Sequence, residues 1–201
     1  MSGRVIIGLT GNIATGKSAI MRLAAERGAL TIDADRVVHE LLDGDAAIQT
    51  AVADAFGPGV RRADGRIDRA ALGAIVFGDA EQLGRLEALL HPVVRAEIGR
   101  RVAATDAPVV MIEAIKLLEG PLAAVCRQVW VTTCARETQL ERLRVCRGLD
   151  EATAVARVEA QSSQADKIAR ADVVIATDGL MTQTQAQFET AWGELQMTSD
   201  E

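Results

Sequence analysis

Apolar residues along this chain fall into two kinds of run. Five stretches are short and almost continuously apolar, at residues 4–9, 29–32, 108–112, 129–132 and 172–176. Strands covered on both faces read this way, because neither side of the pleat meets water. Longer stretches space their apolar residues at helical intervals, as residues 17–27 do with Ile20, Met21 and Leu23 on one side. Strands separated by helices predict an α/β fold, here a five-stranded parallel sheet covered on both faces.

From Asp43 to about Ala107 the pattern turns wholly helical. Residues 48–56 close at Gly57-Pro58-Gly59, Asp68 opens a helix reaching residue 77, and Asp79-Ala80-Glu81-Gln82 has the form of a capping box. Pro92 is expected to interrupt or restart the helix that follows. Residues 137–147 and 150–161 predict two helices joined at Gly148, and a last helix at 183–195 carries Phe188, Trp192 and Leu195 on one side. The expected organisation is a core (1–42, 108–135 and 162–201), a helical insertion (43–107) that is either a natural place for an acceptor site or a packing appendage, and a two-helix flap (136–161). Residues 198–201 are expected to be disordered.

Between the first strand and first helix stands Gly11-Asn12-Ile13-Ala14-Thr15-Gly16-Lys17-Ser18, two glycines five apart followed by Lys and Ser. Strand, loop and helix in that order make a phosphate-binding loop: successive N–H groups and the helix N-terminus form a concave donor site for anions. Gly16 lets the backbone come close. Lys17 is expected to reach the outer phosphates of the ligand as an exposed loop lysine that supports little packing. The Ser18 hydroxyl is suited to complete the shell of a Mg²⁺ held mainly by water and phosphate oxygens.

Carboxylates fall at the ends of two predicted strands. Asp33 and Asp35 follow the second, one expected to cap the next helix and the other, Asp35, to work as a base or act through Mg²⁺. Glu113 ends the third, either acting through metal-bound water or merely solvated. His39 reads as structural or solvated. In the flap, Arg136, Arg142, Arg144, Arg147 and Arg157 alternate with acids; most such residues form weak surface pairs, and Arg147, where the helices turn, is best placed to meet a transferring phosphoryl group.

Composition narrows the partners. The 201 residues carry a net charge of −6, only 2% are aromatic and none is Tyr, which argues against nucleic acid. No apolar run approaches a membrane span, and no room precedes the first strand for a signal peptide. Cys126, Cys134 and Cys146 have neither zinc spacing nor a Cys-x-x-Cys pair, so they read as reduced thiols and the expected location is cytoplasmic.

Taken together, the phosphate loop with Gly8-Leu9-Thr10 before it, Asp33-Ala34-Asp35, Gly65-Arg66-Ile67-Asp68-Arg69, Leu86-Glu87 with Leu90-His91-Pro92, Gln139 to Leu143, and Gln161 with Lys167 and Ala171-Asp172 resemble the dephospho-CoA kinase family over nearly the whole chain. The resemblance implies transfer of the γ-phosphoryl group of ATP, with Mg²⁺, to the 3′-hydroxyl of dephospho-coenzyme A. It also implies a core, a helical acceptor domain and a lid, with Asp35 at the position that acts on the hydroxyl, Lys17 as loop lysine and Arg147 as a lid arginine. Asn12 and Ala14 stand where the family has glycine, which the backbone accommodates where neither needs positive φ. Ile115-Lys116-Leu117-Leu118-Glu119 and Thr177 replace its Pro-Leu-Leu-Phe-Glu and Asn. The alternatives are another small-molecule or nucleoside monophosphate kinase, or a nucleotide-binding module that has lost catalysis.

Overall fold

In a computed structural model of the protein, residues 4–197 are described; the expected disorder of 198–201 lies outside the described residues. The elements run β1 (Val5–Thr10), α1 (Lys17–Glu26), β2 (Leu30–Asp33), α2 (Ala34–Gly44), α3 (Ala46–Phe56), α4 (Arg69–Val76), α5 (Ala80–Ala104), β3 (Val109–Glu113), β4 (Gln128–Thr133), α6 (Arg136–Arg147), α7 (Glu151–Glu159), α8 (Gln164–Ala169), β5 (Val173–Ala176) and α9 (Met181–Met197). All five predicted strands form, in one parallel sheet of order β2-β3-β1-β4-β5. β1 lies between β3 and β4, with Ile7 opposite Met111 on one side and Gln128 on the other. The fold is therefore the expected α/β one.

Contacts divide the chain into two compact units, one of residues up to Ile32 and from Asp106 onward, the other Asp33–Thr105. In the first unit, alternate residues of β1 (Val5, Ile7, Leu9) join Ile20 and Leu23 of α1 and Phe188, Trp192 and Leu195 of α9 in one buried cluster. Trp130 meets Phe188 and Trp192 edge-on at 5.8 and 6.4 Å between ring centroids, and those two stack at 5.2 Å. Rings buried this way are each worth about 3–5 kcal/mol relative to alanine. On the opposite face of β1 the sheet is so closely covered that a Cβ on Gly8 would lie 2.5 Å from Leu117. The link from β3 to β4 carries a 3₁₀ turn at Pro121–Val125 in place of a full helix.

The second unit is helical, and its four helices all begin on an Asp. Asp33, Asp45, Asp68 and Asp79 each accept backbone N–H groups of the first turn, caps worth about 1 kcal/mol apiece. A single antiparallel bridge, Arg61 to Ile67, closes the turn before α4. Pro92 does not break α5, contrary to expectation; the helix runs 25 residues through it. Proline removes one backbone bond at a cost of about 3 kcal/mol. Leu90, Val94 and Ile98, one helical turn apart on a single stripe, are buried and keep both halves of α5 in the same core. Glu97 of α5 accepts from Arg100 and Arg101, and Arg101 also bonds Glu40 of α2; these guanidinium bonds hold the Glu97 carboxyl down at about 2.

Candidate functional site

The loop leaving β1 is built from backbone that most residues avoid. Gly11 has φ +145° and Gly16 φ +89°, and a Cβ at Gly11 would sit 2.5 Å from Thr132 Oγ1 and 2.6 Å from its carbonyl oxygen. At Gly16 the same atom would come 3.0 Å from Thr177. Glycine is needed at both for conformation and for space. The condition for accommodating residues other than glycine holds unequally: Ala14 lies at φ +59°, the one non-glycine residue with positive φ among the described residues.

Every carbonyl from Gly11 to Gly16 turns toward a donor of the protein. Lys17 Nζ donates to Gly11 O (2.9 Å) and Asn12 O (3.1 Å), and Thr15 Oγ1 donates to Asn12 O (2.8 Å). Gln139 Nε2 donates to Ile13 O (2.8 Å), Arg142 Nη1 to Ala14 O (3.0 Å), Thr177 Oγ1 to Thr15 O (3.0 Å), and Ala19 N to Gly16 O (3.0 Å). The N–H groups of Ala14, Gly16 and Ser18, by contrast, have no protein acceptor among the described residues. Acceptors face in and these three donors face out, which is the polarity of an anion cradle at a helix N-terminus.

Lys17 is buried, not exposed. Its ammonium lies against the loop and 3.9 Å from Glu113 Oε1 at the end of β3, so the lysine supports the loop that it was expected only to extend from. Ser18 is exposed and lines a cleft of about 370 Å³. Ala14, Gly16, Arg142, Cys146, Arg147, Thr177 and Met181 share that cleft. Arg142 and Arg147 of α6 reach it differently. Arg142 is half-buried and donates to the Thr177 hydroxyl (3.0 Å) and carbonyl (2.5 Å) as well as to Ala14 O. Arg147 is exposed at the last residue of α6, before the left-handed Gly148. Arg144 and Arg136 form the surface pairs anticipated for most of the flap, with Glu151 at 3.0 Å and Glu159 at 3.1 Å.

Asp33 Oδ1 accepts Arg36 N at 3.0 Å, so Asp33 is the capping residue of the pair. Asp35 follows in the first turn of α2, exposed, where a helix dipole favours a negative charge.

Sequence reasoning passed over the residues that hold the loop from behind. Asn12 is buried: its N–H donates to Gln164 Oε1 (3.0 Å), its Nδ2 to Ser162 O (3.2 Å), and its Oδ1 accepts from Lys167 Nζ (2.7 Å). Lys167 is itself buried, which lowers its pKa through desolvation. Ile13 N donates to Gln161 Oε1 at 2.5 Å. The legible signal was the placement of Gln139, Arg142, Gln161 and Lys167 inside motif stretches; what each would bond was not legible.

Among the described residues no group of three His, Cys, Asp or Glu could hold a metal. A divalent ion at the loop would therefore take phosphate oxygens, water and the Ser18 hydroxyl, a hard-oxygen set that fits Mg²⁺. All three cysteines are free thiols. Burial raises the Cys126 thiol to about 11 and raises that of Cys134, which keeps both protonated at neutral pH. No helix among the described residues is long and apolar enough to cross a membrane.

Residues 5–183 match the family model for dephospho-CoA kinase. The dephospho-CoA kinase of Symbiobacterium thermophilum is 44% identical over 191 residues, covering 93% of this chain and 80% of that protein. A solved structure from Thermus thermophilus superposes with a TM-score of 0.84 at 28% identity, over 96% of this chain and 98% of its own. The solved dephospho-CoA kinase of Campylobacter jejuni gives 0.62 at 25% identity, over 95% and 97%.

Proposed function

The chain belongs to the dephospho-CoA kinase family and is an ATP-dependent phosphotransferase of the last step of coenzyme A synthesis; on that premise we propose how its residues share the transfer of the γ-phosphoryl group to the 3′-hydroxyl of dephospho-coenzyme A. The single observation that carries the assignment of the phosphate site is the polarity of residues 11–18, carbonyls satisfied by protein and the N–H groups of Ala14, Gly16 and Ser18 open to the cleft.

ATP lays its phosphates on Gly11, Asn12, Ile13, Ala14, Thr15, Gly16, Lys17 and Ser18. Lys17 exchanges its bonds to loop carbonyls for phosphate oxygens, and Ser18 contributes its hydroxyl to the Mg²⁺ shell. Mg²⁺ held there would supply charge neutralisation for the phosphates. Arg147, exposed at the cleft, meets the charge that spreads over the transferring group. Asp35 orients the acceptor hydroxyl and takes its proton as the bond to phosphorus forms. Residues 43–107 bind the acceptor, 136–161 close as a lid, and 1–42, 108–135 and 162–201 form the nucleotide core. The protein works in the cytoplasm on small molecules, without nucleic acid or membrane.

Purified enzyme offered ATP with dephospho-coenzyme A, AMP and CMP in competition should phosphorylate the first. Asp35→Asn should reduce turnover sharply with little change in ATP binding or thermal stability. Asp33→Asn, which keeps the cap, should lose less. An active Asp35→Asn enzyme would remove Asp35 from the mechanism.

A further inference from the structure

Two N–H groups of the phosphate loop are already occupied by the protein's own amide oxygens. Gln164 Oε1, at the first residue of α8, accepts from Asn12 N at 3.0 Å, and Gln161 Oε1, in the turn between α7 and α8, from Ile13 N at 2.5 Å. The two cases differ. Asn12 is fixed on all sides, its own side chain bonded to Ser162 O and to buried Lys167, so its N–H belongs to the loop's support. Ile13 is half-buried beside Ala14, the first of the three open donors, and its own N–H is bonded to Gln161. A neutral amide oxygen there presents to Ile13 N–H what a phosphoryl oxygen would present, a lone pair at hydrogen-bond distance, but without the charge.

We propose that Gln161 is a positioning residue that holds the place of a phosphoryl oxygen on Ile13 N–H, and that bound ATP takes this donor from it. The inference rests on the reading of residues 11–18 as the phosphate site of ATP. Its consequence is that nucleotide binding and the tie between the α7–α8 turn and the loop exclude each other at this one bond. ATP then loosens the flap at its α7 end while Gln139 and Arg142 of α6 still hold Ile13 O and Ala14 O. Gln161 sets how readily the outer phosphates settle, by competition and not by contact.

Calorimetric titration of ATP into wild type, Gln161→Ala and Gln161→Glu tests this. Removing the competitor should tighten ATP binding about fivefold, the worth of one hydrogen bond of roughly 1 kcal/mol. The carboxylate of Gln161→Glu accepts the same N–H more strongly and repels phosphate, so ATP should bind at least about tenfold more weakly. AMP, which lacks the outer phosphates, should distinguish the three proteins little when its inhibition constant is measured. A merely structural glutamine gives the reverse order, Gln161→Glu near wild type and Gln161→Ala weaker, and that order, or no change in either, overturns the proposal. Gln161→Glu keeps the loop bond, so it decides the matter even where Gln161→Ala fails to fold. A wild-type protein that binds no ATP would overturn the phosphate site itself, and this inference with it.

Discussion

Replacing Ala14 by glycine should stabilise the protein. At φ +59° an L residue sets its Cβ against the following carbonyl, a conformation costing about 1–2 kcal/mol. Glycine removes that cost but makes the unfolded chain freer by about 0.4–1 kcal/mol. The Ala14 carbonyl keeps its bond from Arg142 in either case, because a backbone acceptor survives the change. The balance favours glycine by about 0.5–1 kcal/mol, and at roughly 2–4 °C per kcal/mol for a chain of this size the melting temperature should rise about 1–4 °C. Thermal unfolding followed by circular dichroism without nucleotide measures it. Ala14→Val is the companion, expected to melt several degrees lower because a β-branched residue tolerates positive φ worst. Turnover of Ala14→Gly should stay within about twofold of wild type, since the loop's donors are backbone groups. A fall in melting temperature on Ala14→Gly would refute the reasoning: the methyl group would then be contributing more to packing than the backbone loses to strain.

Lys17→Ala should abolish transfer and also lower the melting temperature, since Gly11 O and Asn12 O both lose a donor; near-normal turnover in the folded variant would contradict the assigned role. Arg147→Ala should lower turnover by orders of magnitude and Arg144→Ala, which only loses a surface pair with Glu151, should not; equal mild effects would reduce the flap arginines to a solvated face. Glu97→Gln should melt a few degrees lower than wild type at pH 7. The folded carboxyl titrates near 2 and the unfolded one near 4.5, so its contribution is full above 4.5 and fades as pH falls toward 2; a difference that persisted unchanged at pH 2.5 would rule out the ion pair as its source.

Where the sequence was legible, a local rule was at work. The strands are fully covered, so each reads as an apolar run, and the phosphate loop depends on glycine and lysine at fixed spacing. The helical segment's Asp caps lie next to the turns they serve, and Asp33 separates from Asp35 on that ground alone. Illegible features were those decided by distant chain. Pro92 sits inside α5 because Leu90, Val94 and Ile98 hold both halves of the helix in one core. Arg142, and not only Arg147, became a cleft residue because Ala14 and Thr177, far from it in sequence, offer it three acceptors. Gln161, Gln164 and Lys167 lie about 150 residues beyond the loop whose backbone they hold, and no periodicity encodes such a partnership. Lys17 was misjudged as exposed because the motif specifies what the lysine does with ATP and says nothing of where it rests.

The aromatic cluster gives the two units different optical signatures. Both tryptophans of the chain, Trp130 and Trp192, lie in the sheet core against Phe188, and the sequence has no tyrosine. Residues 33–105 hold only Phe56 and Phe77 among aromatics, so tryptophan emission is blind to that unit, whereas far-ultraviolet circular dichroism is dominated by helices in both. Denaturation curves from the two signals will coincide only when the units unfold together. A shift between them, or its disappearance on adding dephospho-coenzyme A, would read out the coupling of the helical unit to the nucleotide core without any label.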